Sequence, residues 1–149
     1  MSKLKVGIIG TGSISTSHIE GYKKNPNVEL YAFCDVNEER VKAAGEQHGV
    51  NRLYTDANKM LADLPELDAV SVCTWNSAHA PCTIAALNAG KHVLCEKPMA
   101  MNAEEARQMV EAARAAGVIL GVAHVMRFEA SVRWFREKIA AGAIGKPLL

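Results

Sequence analysis

Along the chain, short runs of β-branched and other apolar residues alternate with longer stretches whose apolar positions recur at helical spacing. Leu4–Ile9 predicts a first strand, and Gly10-Thr11-Gly12 leads from it into a helix ending near Lys24. Val28–Cys34 predicts a second strand, after which Asn37 is placed to cap a helix running to His48. A short third strand at Arg52–Tyr54 precedes a short helix ending near Leu61. Ala69–Thr74 predicts the fourth strand, residues 78–89 a helix stopped at Gly90, and His92–Cys95 the fifth strand. Asn102-Ala-Glu-Glu105 has the spacing of a capping box, in which the Asn side chain satisfies an orphan N–H and Glu105 reaches back. The helix it opens puts Ala106, Met109, Val110 and Ala113 on one face and stops at Gly117, before a sixth strand at Val118–Ala123. Phe128, Val132, Phe135 and Ile139 then share the spacing of one buried stripe on a last helix.

Strands that are apolar on both faces, separated by amphipathic helices, imply a parallel sheet covered on both sides. With right-handed crossovers, such a chain forms a doubly wound α/β sheet. Its ligands sit at the carboxyl ends of the strands, and that rule decides which residues can share a site. The 149 residues are enough for one domain with a sizeable core and too few for two.

Composition removes several classes. The formal net charge is +1 with both signs interspersed, so no basic field points to nucleic acid. The longest apolar runs are strand-sized, which argues against a membrane span, and the first nine residues lack the long apolar region of a secretory signal. Cys34, Cys73, Cys82 and Cys95 have no C-x-x-C pairing to suggest a metal site, and thiols in apolar strands behave as small hydrophobes. A cytoplasmic enzyme with a small-molecule substrate is the expectation these features leave.

The candidate chemistry starts at the first turn. Gly10-Thr-Gly12-Ser13-Ile14-Ser15 follows a strand and opens a helix, the setting in which glycine-rich turns hold a pyrophosphate. Gly10 permits the tight turn, Gly12 lets the backbone approach a phosphate, and Ser15 is small enough for close helix–strand packing. Asp35 ends the second strand, where a carboxylate accepts from the ribose diol of a dinucleotide; its other reading is a cap for the next helix. A carboxylate there repels a 2′-phosphate, so NAD is expected over NADP, and Arg40 is the nearby base that keeps NADP possible.

Gly90-Lys-His-Val-Leu-Cys-Glu96-Lys97-Pro98 adds a second feature. Together with the glycine turn, Cys34-Asp35-Val36, Thr74-Trp75-Asn76-x-x-His79, Ala86–Gly90 and Arg127-Phe128, it resembles the glucose–fructose oxidoreductase, inositol dehydrogenase and rhizopine catabolism (Gfo/Idh/MocA) family over the whole chain. The resemblance implies an NAD(P)-binding Rossmann domain and a catalytic role for Lys97, beside the nicotinamide and the substrate hydroxyl. An ammonium there can hydrogen-bond the substrate oxygen, stabilise its developing charge and join proton transfer. Glu96 either orients Lys97 or contacts the nicotinamide ribose. Thr74, Asn76 and His79 are implied to line the dinucleotide, although His79 also reads as a plain helix-start residue. Trp75 stands where the family often has proline, and its indole could pack against the nicotinamide or the adenosine. Arg127 reads either as a residue near the nicotinamide or as a solvated arginine. His18, His48 and His92 read as structural.

The resemblance also implies a second α/β domain that holds the substrate, with its first strand expected to begin within residues 144–149. On that reading, residues 125–149 lead toward a part this chain does not contain, and the chain alone binds cofactor without efficient turnover. The complete enzyme is expected to be a homo-oligomer acting on a sugar, polyol or inositol-like alcohol. A non-catalytic NAD-binding regulator and an NAD-dependent glycoside hydrolase are the alternatives on the same fold. A methyltransferase would share the glycine turn and have no use for Glu96-Lys97-Pro98.

Overall fold

The computed structural model describes residues 2–146. Six strands, β1 (Leu4–Ile9), β2 (Val28–Cys34), β3 (Leu53–Tyr54), β4 (Ala69–Val72), β5 (His92–Cys95) and β6 (Leu120–Val122), form one parallel sheet in the order β3-β2-β1-β4-β5-β6. Between them run α1 (Ser15–Lys23), α2 (Glu38–His48), α3 (Ala57–Asp63), α4 (Asn76–Asn88) and α5 (Ala103–Ala116). After β6 come a 3-10 turn (Val125–Phe128) and α6 (Ala130–Ala140). The strand order reverses between β1 and β4, which opens a crevice at their carboxyl ends.

Alternation within the strands builds two cores. Ile8 and Phe33 face one way and pack with Ile19 of α1, Val41 of α2 and Val50. Ile9, Cys34, Val70, Val72, Val93 and Cys95 face the other way, against Met60 and Leu61 of α3, Leu87 of α4 and Met109 of α5. Both asparagine caps form: Asn37 accepts from the Arg40 N–H and Asn102 from the Glu105 N–H, while Glu105 reaches back to the Met101 N–H. Gly49 and Gly117 end α2 and α5 in the left-handed conformation.

Three boundaries differ from expectation. The fourth strand stops at Val72 and the sixth is only three residues long, because ladder pairing ends where the chain turns toward the crevice. Helix α4 begins two residues early, at Asn76, with Trp75 as an uncapped N-cap and Pro81 inside the helix. The largest correction concerns the last helix. Its apolar stripe is mostly exposed: Phe128, on the 3-10 turn before the helix, is 80% exposed, Phe135 and Ile139 also face solvent, and Val132 is half-buried. The residues expected to begin a further strand end in 147–149, which lie outside the described residues.

Candidate functional site

Gly10 is forced by its surroundings. Its φ is +89°, and a Cβ there would stand 2.7 Å from the carbonyl carbon and oxygen of Cys73. The turn therefore presses against the end of β4, held by the Gly10 N–H donating to Cys34 O at 2.7 Å. Gly12 is the opposite case: nothing lies within 4 Å of a Cβ built on it. Helix α1 starts without a side-chain cap, and the N–H groups of Gly12, Ser13 and Ile14 have no acceptor among the described residues. Ser15 is buried and its hydroxyl donates to Gly12 O at 2.6 Å, which closes the turn from beneath. Open space over Gly12, three free amides and a helix N-terminus make a cradle for a phosphate group.

Asp35 sits beside that cradle and is nearly buried. Its Oδ2 accepts from the Thr11 N–H at 2.8 Å and the Thr11 hydroxyl at 3.1 Å, and its Oδ1 accepts from the Asn37 N–H at 2.9 Å. Arg40 Nη1 lies 3.5 Å from both oxygens. Burial pushes the carboxyl up, but the N–H groups of Asn37 and Thr11, the Thr11 hydroxyl and the Arg40 guanidinium together hold it below the ordinary carboxylate range. The two readings of Asp35 thus combine. It braces the start of α2 and the glycine turn, and it lines the cleft as an ionised acceptor. The helix cap itself is Asn37.

The cleft has a volume of about 390 Å³. Gly10, Gly12, Ser13 and Ile14 form its floor, Asp35, Val36 and Arg40 one wall, and Cys73, Thr74, Trp75 and Ala78 the other. Burial pushes the Cys34 and Cys73 thiols up to about 12, so both stay neutral and contribute only apolar surface. Trp75 is 81% exposed at the rim.

Five of the residues singled out from sequence lie away from this cleft. Asn76 and Arg127 are exposed, on the first turn of α4 and on the 3-10 turn. Lys97 is exposed on the loop after β5, and that strand ends at the same edge of the sheet as β1 and β4. His79 is buried and offers nothing to a ligand: Nδ1 donates to Pro98 O at 2.6 Å and Nε2 stands 3.1 Å from Thr74 O. It ties the Thr74 turn to the cis Lys97–Pro98 bond, so it supports the site without lining it. Glu96 is buried too, its Oε2 accepting from the Lys97 N–H at 3.0 Å. Glu96 therefore meets the backbone of Lys97 and does not line the cleft.

Sequence reasoning missed what holds the other oxygen of Glu96. His18 Nε2 lies 3.0 Å from Glu96 Oε1, and its Nδ1 lies 3.2 Å from Ser71 Oγ, which also meets the Tyr22 hydroxyl at 2.6 Å. The available signal was Ser71, a polar residue in an otherwise apolar strand.

The Gfo/Idh/MocA family model, described as an oxidoreductase family with an NAD-binding Rossmann fold, matches residues 4–124. Over 142 residues the chain is 42% identical to 1,5-anhydro-D-fructose reductase of Ensifer adhaerens, covering 95% of this chain and 42% of that protein. It is 38% identical to myo-inositol 2-dehydrogenase of Thermotoga maritima, covering 97% and 43%. Among solved structures, the WlbA dehydrogenase of Bordetella pertussis in complex with NADH and UDP-GlcNAcA aligns with a TM-score of 0.89 at 34% identity, covering 94% of this chain and 42% of that one. An oxidoreductase of Agrobacterium radiobacter in complex with NAD+, L-tartaric acid and magnesium aligns with a TM-score of 0.89 at 28% identity, covering 99% and 43%. The chain thus spans less than half the length of these relatives.

Proposed function

The chain belongs to the Gfo/Idh/MocA oxidoreductase family as an NAD-binding Rossmann domain, and from that premise we propose that it serves hydride transfer between NAD and a secondary alcohol on a sugar, polyol or inositol-like substrate. The observation that carries this reading is the uncapped turn Gly12–Ile14, with its three free amides, beside the ionised Asp35. NAD supplies the hydride acceptor or donor. The Gly12, Ser13 and Ile14 amides take the pyrophosphate, and Asp35 offers the ribose diol of the adenosine half the lone pair that Asn37 leaves on Oδ1. Its charge disfavours a 2′-phosphate, so NAD is preferred, with Arg40 as the group through which NADP could be tolerated. Thr74 and the Trp75 indole form the cleft wall nearest the loop that carries Lys97.

Lys97 is the catalytic residue of this proposal. Its ammonium hydrogen-bonds the substrate oxygen and stabilises the negative charge that grows there as hydride leaves. Asn76 and Arg127, exposed near the same edge of the sheet, come within reach of the nicotinamide half only when that half is bound. The relatives' additional length is the natural source of the substrate-binding surface, and the exposed apolar stripe of α6 is a surface suited to docking or to association of subunits. Among the described residues no helix is long and apolar enough to cross a membrane. The free cysteines, three of them buried, suit a cytoplasmic location, and the near-zero net charge gives no footprint for nucleic acid.

The test is a substrate panel. The complete enzyme, given NAD and a set of sugars, polyols and inositols, should raise nicotinamide absorbance with at least one secondary alcohol. Hydrolysis of a glycoside without net NADH would favour the glycosidase alternative, and NAD binding with no turnover on any alcohol would favour the regulator.

A further inference from the structure

One row of residues crosses the sheet on the α1 side: Leu53, Phe33, Ile8, Ser71, Leu94 and Gly121. At Ser71 the row turns polar, although that residue is fully buried. A polar side chain in a core position costs stability unless it is satisfied, and satisfied polar chains fix geometry more sharply than apolar packing does. Here the satisfaction is complete under one proton ordering. The Tyr22 hydroxyl donates to Ser71 Oγ at 2.6 Å, and the Ser71 hydroxyl donates to His18 Nδ1 at 3.2 Å. His18 Nε2–H then donates to Glu96 Oε1 at 3.0 Å, and the Lys97 N–H donates to Glu96 Oε2 at 3.0 Å. The chain runs from α1, the helix that begins at the phosphate cradle, under β4 to the backbone of Lys97.

We propose that His18 is a positioning residue: braced by Ser71 and Tyr22, it locks the Glu96 carboxylate so that Glu96 holds the Lys97 backbone in place at the mouth of the sheet. The proposal rests on the reading of Lys97 as the catalytic group. Lys97 has no hydrogen bond from its own side chain among the described residues, so its backbone anchor decides where the ammonium can reach. Two histidines hold that loop from opposite sides of the sheet, His18 through Glu96 and His79 through the Pro98 carbonyl. Because the brace grips the backbone and leaves the cradle untouched, it acts on turnover and not on cofactor affinity.

The experiment uses amide exchange and ring nitrogen shifts in this chain, followed by kinetics in the complete enzyme. In His18→Ala the Lys97 amide should exchange about tenfold faster or more, as expected for a loosened hydrogen bond, while the Thr11 and Asn37 amides on Asp35 keep their protection. His18→Gln, whose amide can still donate to Glu96, should restore most of it. In the wild type, the His18 ring should carry its proton on Nε2. In the complete enzyme, His18→Ala should lower kcat by about ten- to a hundredfold, the scale of a small misplacement of a reacting group, with the NAD Kd unchanged. If His18→Ala fails to fold, Ser71→Ala, which removes the brace on Nδ1 together with the Tyr22 hydroxyl's partner and leaves the His18–Glu96 contact, should show the same pattern with smaller amplitude. An unchanged Lys97 amide, or equal loss of protection at Lys97, Thr11 and Asn37, would overturn the proposal. Failure of the Lys97 reading is separate: Lys97→Ala would then leave turnover intact while the exchange results stood.

Discussion

On the β1–β3 side of the sheet, Leu53, Phe33 and Ile8 are sealed by Ile19 of α1 and Val41 of α2. Along the same row past β1, Ser71 is held by hydrogen bonds, and Leu94 and Gly121 stay half-buried outside both apolar cores. The helix after β6 keeps its apolar stripe in solvent. The polar groups differ in the same way. Asp35 and Thr11 are held to each other by hydrogen bonds within this chain, whereas the Lys97 ammonium, Asn76 and Arg127 stand exposed. On the proposed reading, the contrast separates binding from chemistry: the side assigned to the dinucleotide is built by these residues alone, and the side assigned to the reacting group presents surface and charge for something else to meet.

The strongest way to break this comparison is at Lys97. In the complete enzyme, Lys97→Ala should lower turnover by about 10²–10⁴, the range for losing a positioned proton-transfer or oxyanion-stabilising group. The NAD Kd, measured by calorimetry, should barely move. A loss confined to Kd would mean that Lys97 belongs to the binding side.

The two glycines of the turn split the binding side further. Gly10→Ala should destabilise the chain by about 3 kcal/mol in denaturant unfolding, since it adds left-handed strain to a clash with the Cys73 carbonyl. Gly12→Ala should leave unfolding almost unchanged, because its Cβ meets open space, yet weaken NAD about tenfold or more by blocking the phosphate approach. Equal stability losses in the two variants would contradict the assignment of Gly12 to the ligand.

Asp35→Ala should weaken NAD by roughly 1.5–3 kcal/mol, the scale of hydrogen bonds to a charged group, and should narrow the gap to NADP. Its pH dependence has a definite sign. The folded carboxyl is held below its ordinary value, so its contribution to stability is present above that value and is lost as pH falls through the folded one. The thermal midpoint should therefore drop on acidification through that window, and the drop should be shallower in Asp35→Asn. At the small end, Phe135→Ser on α6 should change stability by no more than about 0.5 kcal/mol while reducing self-association in light scattering.

How much of this was legible in the sequence depended on the kind of signal. Leu4–Ile9, Val28–Cys34 and His92–Cys95 were bounded correctly by runs of apolar residues between turn residues, and the Asn37 and Asn102 caps by their local chemistry. The start of α4 was not, because Trp75 gives no capping mark. Helical spacing on α6 revealed an apolar stripe, but periodicity says nothing about what covers it. The glycine turn and Asp35 were visible because their spacing is local. His79 and the His18–Glu96 contact were not: a histidine's partners are set by how the chain folds back and not by local spacing, and Glu96 lies 78 residues from His18.

The division between a binding side and a reacting side is tested most directly by titrating this chain with NAD and following its backbone amides. The largest shifts should fall at Gly12, Ser13 and Ile14, with smaller ones at Val36 and Thr74 along the cleft walls and at the Lys97 amide. Saturation with shifts centred on α6 or β6, or no saturable change at the glycine turn, would contradict it.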